Sequence, residues 1–257
     1  GRPASGPGPF MAALSRVARV RDSGMEPWRA ALYVDHYLAE CVLVGGARRA
    51  ARMSTKTWRD ASAVDFVAVK RGGFLWSSNN SITVDAAFWA HAQNGTAPKA
   101  AKARAEWAHA RKLFEAAAKA AYHDGTGEPG FINQDMLVAN NSGLDEYLRT
   151  GAFCGSKKYQ VAEATRPLMK ALARAAAAAP YGQITNPCGE ISLFMLGGYC
   201  VVGDVVPYHA EDDDEAEEAF RAATRALIRT NLMDCLYAPE TRRTNRIGVG
   251  ITGLHEC

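Results

Sequence analysis

The sequence predicts an α/β fold, and three observations carry that expectation. Helical and extended patterns alternate along its 257 residues. Hydrophobic residues make up 48% of the chain, enough to bury a core in one large domain or two small ones. Glycine or proline closes the strongest helical stretches, before Gly125 and at Pro180 and Gly182.

In chain order, Gly1 to Pro9 reads as a Gly/Pro-rich loop, and a helical pattern starts near Phe10. A second helix is expected from Pro27 to Val42, with Trp28, Leu32, Tyr33 and Tyr37 on its apolar face. Gly45-Gly46-Ala47-Arg48-Arg49 breaks the pattern. Phe66–Val69 and Ser81–Val84 read as short strands, and Asp85 as the cap of the helix that follows. Pro98 to Tyr122 is the strongest helical stretch, rich in alanine and carrying Trp107, Leu113 and Phe114 at helical spacing. Gly130–Asn133 reads as a buried strand, Val161–Ala179 as a helix, and Gln183–Leu193 as extended. Glu211 to Tyr237 is a long helix whose acidic start suits the positive end of the helix dipole. Arg246–Ile251 is the last strand.

Composition narrows the function. A net charge of +3 is too small for a nucleic-acid coat protein, and no nucleic-acid partner is expected. No apolar stretch reaches the length of about 18 residues that a membrane helix needs, and the N-terminus lacks a secretion-signal pattern. The 6 cysteines show no C-x-x-C pair, and the 6 histidines complete no zinc pattern, so no metal ligand set is predicted. Sparse cysteines suit a reducing cytoplasm. The chain begins without Met and stops just after an apolar run, Ile247 to Leu254, so a fragment boundary is expected. An intein, an insertion that commonly begins with Cys, is one way to make such a boundary.

The stretch with chemistry in it is Asn186-Pro187-Cys188-Gly189-Glu190-Ile191. If it is extended, alternate side chains share a face, about 6–7 Å apart per step of two residues. Asn186, Cys188 and Glu190 would then bring an amide, a thiol and a carboxylate to one small volume. Pro187 biases Asn186 toward extended geometry, and Gly189 permits a bend or a close approach. A buried cysteine flanked by turn residues accounts for these residues equally well.

This string resembles the active-site loop of ribonucleotide reductases, above all their adenosylcobalamin-dependent branch. The resemblance implies a ten-stranded α/β barrel with this loop as a finger at its centre, of which residues 1–257 would be a partial catalytic barrel domain. It implies radical reduction of ribonucleotides to deoxyribonucleotides in the cytoplasm, with adenosylcobalamin as cofactor. Cys188 would be the thiyl radical that removes the ribose 3′ hydrogen, Glu190 the base on the 3′ hydroxyl, and Asn186 a hydrogen-bond partner of the ribose hydroxyls. Cys200, in Gly197-Gly198-Tyr199-Cys200, matches one member of the reducing cysteine pair, with a core thiol as the alternative reading.

Further segments match in the same order. Ala4-Ser5-Gly6-Pro7 resembles the end of the loop after the first redox cysteine, placing Ser5 and Gly6 near substrate. Gly45-Gly46-Ala47-Arg48-Arg49-Ala50 resembles the loop between effector and substrate base. There Gly45 and Gly46 give a pliable backbone, and Arg48 and Arg49 give planar, multi-donor contacts. Trp76–Ser81, Gly127–Gly130 and Arg242–Gly253 also resemble barrel segments. The implied partners are a ribonucleotide substrate, a deoxynucleotide effector, a thioredoxin-type dithiol reductant and the remainder of the reductase chain. The upstream redox cysteine, the later strands and the phosphate-binding segment are expected outside this sequence, and no turnover is expected of it in isolation.

Three other readings stand beside this one. The class I reductase large subunit shares the loop logic. Gly248-Val249-Gly250-Ile251-Thr252-Gly253 matches the G-x-G-x-x-G of a nucleotide-binding oxidoreductase, although the acidic residue expected about 20 positions later falls beyond the chain. A non-enzymatic interaction module is the third.

Overall fold

The computed structural model describes residues 5–44, 48–125, 127–139, 167, 171, 174, 184–189, 191–193, 200–233 and 245–255. The chain divides into two compact units, Gly1–Asn140 with Ala179–Ser192, and Asn141–Ala178 with Leu193–Cys257.

The first unit opens with helices α1 (Pro7–Arg21) and α2 (Pro27–Glu40), which pack on each other. Both start on proline, whose missing N–H costs nothing in the first turn. Two short antiparallel strands follow, β1 (Leu43–Val44) and β2 (Arg48–Arg49). The centre of the unit is a parallel three-stranded sheet in the order β3 (Arg52–Thr57), β4 (Ser78–Val84), β5 (Gly130–Asn133). Its crossovers are helical, as parallel neighbours require. Helix α3 (Ala63–Val67) lies between β3 and β4, while α4 (Ala86–Gln93) and α5 (Ala101–His123) lie between β4 and β5. A short helix, α6 (Gln134–Ala139), follows β5.

Leu32, Trp58, Phe66, Leu75, Ile82, Val84, Phe88 and Leu113 form the core between sheet and helices. Asp85 caps α4 as the sequence predicts, accepting the Phe88 N–H at 2.9 Å. The expected strand at Phe66–Val69 is instead the end of α3 and the turn after it. Asp60 Oδ1 accepts both the N–H and the hydroxyl of Ser62, and Ser62 O then accepts Phe66 N–H at 3.0 Å. That local closure, with Phe66 2% exposed, overrides the strand preference of aromatic and β-branched residues.

Strand β4 is buried at every position except Asn79, yet it is largely polar. Its polar groups are satisfied by neighbours. Ser54 and Ser78 hydroxyls meet at 2.7 Å, Ser78 donates to Asn80 Oδ1, and Lys70 Nζ donates to Ser78 O at 2.6 Å and to Glu128.

Among the described residues, the second unit holds a strand–helix–strand crossover. Strand β8 (Val201–Val205), a 3₁₀ turn (Pro207–His209) and helix α7 (Asp213–Asn231) lead to β9 (Ile247–Ile251), which pairs parallel with β8. Asp212 Oδ1 accepts Glu215 N–H at 2.8 Å while Glu215 Oε2 accepts Glu211 N–H at 2.6 Å, a reciprocal cap that accounts for the acidic run. The helix ends at Asn231 rather than Tyr237. Asn231 Nδ2 donates to Arg246 O, tying its end to the start of β9. The helix expected at Val161–Ala179 falls outside the described residues, apart from Pro167, Ala171 and Arg174, which are helical.

The fold is therefore mixed α/β with parallel sheets, and the described residues form no closed barrel. Among them, no helix is long and apolar enough to cross a membrane.

Candidate active site

The loop that carries Cys188 belongs to the first unit and is flanked by two short strands, β6 (Ile184–Thr185) and β7 (Ser192–Leu193). Strand β6 lies against β3, and Thr185 is buried. The extended ribbon expected from Gln183 to Leu193 is broken by a tight turn. Gly189 N–H donates to Asn186 O at 3.0 Å, which makes Asn186-Pro187-Cys188-Gly189 a hydrogen-bonded β-turn. Pro187 presets its first corner, and Gly189 leaves it at φ +89°, where a Cβ is unfavourable. Asn186 closes the base of the loop. Its N–H donates to Ile191 O, and its side-chain Oδ1 accepts Ile191 N–H, both at 3.0 Å.

Two consequences follow for the predicted trio. Cys188 is exposed at the head of the turn, so the reading of a thiol packed in the core is overturned. Asn186 Oδ1 is committed to the loop itself, accepting the Ile191 N–H. The alternation that would put Asn186 and Cys188 on one face of a ribbon does not apply across a turn. Glu190 lies outside the described residues.

A residue not singled out from sequence holds the turn against the sheet. Asn79, the exposed position of β4, donates from Nδ2 to Pro187 O at 2.6 Å. Ile82 and Val84 of β4 enter the helix-covered core, so Asn79, Ser81 and Thr83 point to the opposite face. In register beside them lie Met53, Thr55 and Thr57 of β3. The Cys188 turn thus docks on a sheet face lined mainly by hydroxyl and amide side chains. Gly130 suits this face, since a Cβ there would stand 3.1 Å from Ser81 Oγ.

Cys200 is half-buried immediately before β8 in the second unit. Gly45 and Gly46 lie outside the described residues, while the backbone of Arg48 and Arg49 forms β2. Ser5 precedes Gly6, which stands at the N-cap of α1 with φ +78°. Cys41 donates its thiol to Leu38 O at the end of α2, a structural use. Among the described residues no His/Cys/Asp/Glu group could hold a metal ion. The G-x-G-x-x-G reading is overturned: Gly248 and Gly250 sit inside β9, and no helix follows within residues 252–255. A phosphate cradle needs those glycines in the turn between strand and helix. Here Gly250 instead makes room for the Asp204 carboxylate, into which a Cβ would run.

Among the ionisable groups displaced from their ordinary range around the sheet are His36, Asp60 and Asp85. His36, 1% exposed, shares a 2.7 Å hydrogen bond between Nδ1 and Ser77 Oγ. Its Nε2 lies 3.5 Å from Glu40 Oε1 without making a hydrogen bond. Burial among Tyr37, Phe74 and Trp76 lowers its pKa and outweighs the pull of Glu40. The hydrogen bond from Lys56 leads the effects that hold Asp60 down at about 2. Burial pushes Asp85 up, but bonds from Phe88 N–H, Arg59 and Trp58 together bring it below its ordinary value.

Comparison with known proteins agrees with the motif. No family model and no solved structure matches the chain. A protein of Mycobacterium phage D29, named provisionally as an adenosylcobalamin-dependent ribonucleoside-triphosphate reductase, is 28% identical over 99% of this chain and 34% of its own length. The adenosylcobalamin-dependent ribonucleoside-triphosphate reductase of Lactobacillus leichmannii is 27% identical over 100% of this chain and 29% of its own. That of Lactobacillus delbrueckii subsp. bulgaricus is 26% identical over the same shares. The chain resembles part of a ribonucleotide reductase. It spans about a third of the length of the curated relatives it matches. In this reductase-like chain, the likeness expected from N-P-C-G-E-I therefore extends over all or nearly all of the sequence.

Proposed function

We propose that the chain is the part of an adenosylcobalamin-dependent ribonucleotide reductase that presents the radical thiol, Cys188, to the ribose of a ribonucleoside triphosphate. The observation behind this is the exposed Cys188 at the head of a turn closed by Asn186, in a chain whose relatives carry that reductase name. The class I alternative has no comparable support.

In the proposed reaction, the Cys188 sulfur radical takes the 3′ hydrogen atom, leaving a carbon radical and a thiol. Glu190 accepts the 3′ hydroxyl proton, and Asn186 hydrogen-bonds the ribose hydroxyls. The 2′ hydroxyl departs as water. Cys200 and a second cysteine supply two hydrogens as they join in a disulfide, and Cys188 returns its hydrogen atom to C3′. The balance is one ribonucleotide and one dithiol giving one deoxyribonucleotide, one water and one disulfide. A thioredoxin-type dithiol resets the pair. Adenosylcobalamin, when bound, supplies the initiating radical. The exposed turn fits the one demand this places on the chain, an accessible thiol; no described residue is assigned to the corrin. The loop of Gly45, Gly46, Arg48 and Arg49, with Ser5 and Gly6, is proposed to relay a deoxynucleotide effector to the substrate base. The proposed setting is the cytoplasm.

The test is made in the complete reductase chain. Cys188→Ser is expected to abolish deoxynucleotide formation while effector binding, followed by equilibrium dialysis, stays at the parent level. Cys200→Ser is expected to give at most one product per chain in a rapid-quench assay. Multiple turnovers by the Cys188 variant would overturn the reading.

A further inference from the structure

The contact between Asn79 and the turn lies outside the trio that defines the reaction. In a β-turn the central peptide, here Pro187–Cys188, has two main orientations, related by a flip of roughly half a turn. One gives the third residue a negative φ, and the other demands a positive φ that suits glycine. Cys188 is not among the positive-φ residues, which outside glycine are Leu75 and Asn245 among those described. The turn therefore holds the first orientation. The Pro187 carbonyl is the oxygen of that same peptide, and it is the atom that Asn79 Nδ2 reaches at 2.6 Å. Swinging this peptide would break the Asn79 bond and force Cys188 into the positive-φ region, where its Cβ crowds the Pro187 carbonyl oxygen.

The Asn186–Gly189 and Asn186–Ile191 bonds close the turn at its base. Asn79 approaches from a strand whose other side chains are buried, so its donor sits on a firm support.

We propose that Asn79 is a positioning residue for the Cys188 thiol, its amide tethering to β4 the peptide that leads into Cys188 and so holding the head of the turn in place. This rests on the reading of Cys188 as the reactive thiol. Asn79→Asp is the informative variant, nearly the same shape but unable, when ionised, to donate to a carbonyl. In the complete chain, kcat should fall about tenfold to a hundredfold, the scale set by small misplacements of reacting groups. KM for the triphosphate should stay within about threefold of the parent. The ratio of variant to parent kcat should climb as pH falls toward the carboxyl range near about 4, where a protonated carboxyl donates again. Asn79→Gln, which keeps the donor, should recover part of the loss.

A second readout is independent of turnover. The alkylation rate of Cys188 by iodoacetamide, followed by peptide mapping, should change at least about threefold in Asn79→Asp and less in Asn79→Gln. Parent-like kcat in Asn79→Asp overturns the inference, as does a parent-like alkylation rate. If Cys188→Ser still reduces substrate, the radical reading falls instead, and the alkylation rates alone then decide the role of Asn79.

Discussion

The two units use the same device, parallel strands joined through a helix, with different protection. In the first, β4 lies between two strands and under helices, and even its serines, threonine and Asn80 are buried. Among the described residues of the second, β8 and β9 have each other and α7. Leu227 of α7 seats on Gly203, but Val202 is 65% and Ile251 51% exposed. Parallel strands are normally covered on both faces. The contrast shows what each part can carry. A fully enclosed strand can be polar, because its hydroxyls find fixed partners, and it can project Asn79 accurately toward a loop.

The sharpest way to break this comparison is to hollow out the enclosed unit. Phe88 is 0% exposed and packs on Trp58 and Phe131. Phe88→Ala should cost about 3–5 kcal/mol by urea denaturation. Leu227→Ala, at a residue 8% exposed over Gly203, should cost about 2–3 kcal/mol, the lower end for a large-to-small change. Equal losses from the two variants would erase the distinction drawn between the units. The smallest effect should come from pH. Because His36 has a lowered folded-state pKa, its contribution is complete above the ordinary value of about 6.5. It is lost as pH falls through the lowered value, since the unfolded chain takes up the proton first. Urea midpoints should drop on acidification from about pH 7 to pH 5.5, and His36→Gln should flatten that slope.

Much of this was legible in the residues. The proline-started α2, the alanine-rich α5, the Asp85 cap, β5 and β9 follow from spacing, caps and breakers, while α1 begins at Pro7, inside the stretch expected as a loop. The apolar end of β4 was readable, but its start, Ser78 to Asn80, was not. Its fitness for burial comes from Lys70, in the turn before it, and from Ser54 and Glu128, which are distant in sequence. Phe66 and Val67 carry strand-like side chains and were captured by a helix through an Asp60–Ser62 closure. At the site, Pro187 and Gly189 announced a bend, yet an alternating ribbon was expected because alternation ignores hydrogen bonds across the turn. Asn79 lay within the Trp76–Ser81 segment already matched to the reductases. Its importance comes from a partner 108 positions away, which no local pattern reveals.

That separation also bears on the order in which the protein is made. At synthesis rates of about 5–20 residues per second, the ribosome needs roughly 5–20 s to travel from Asn79 to Pro187. The sheet's strands and crossover helices are all complete in sequence before the turn emerges, so the mould precedes the part it shapes. A nascent chain halted between the two would carry the support without the sulfur.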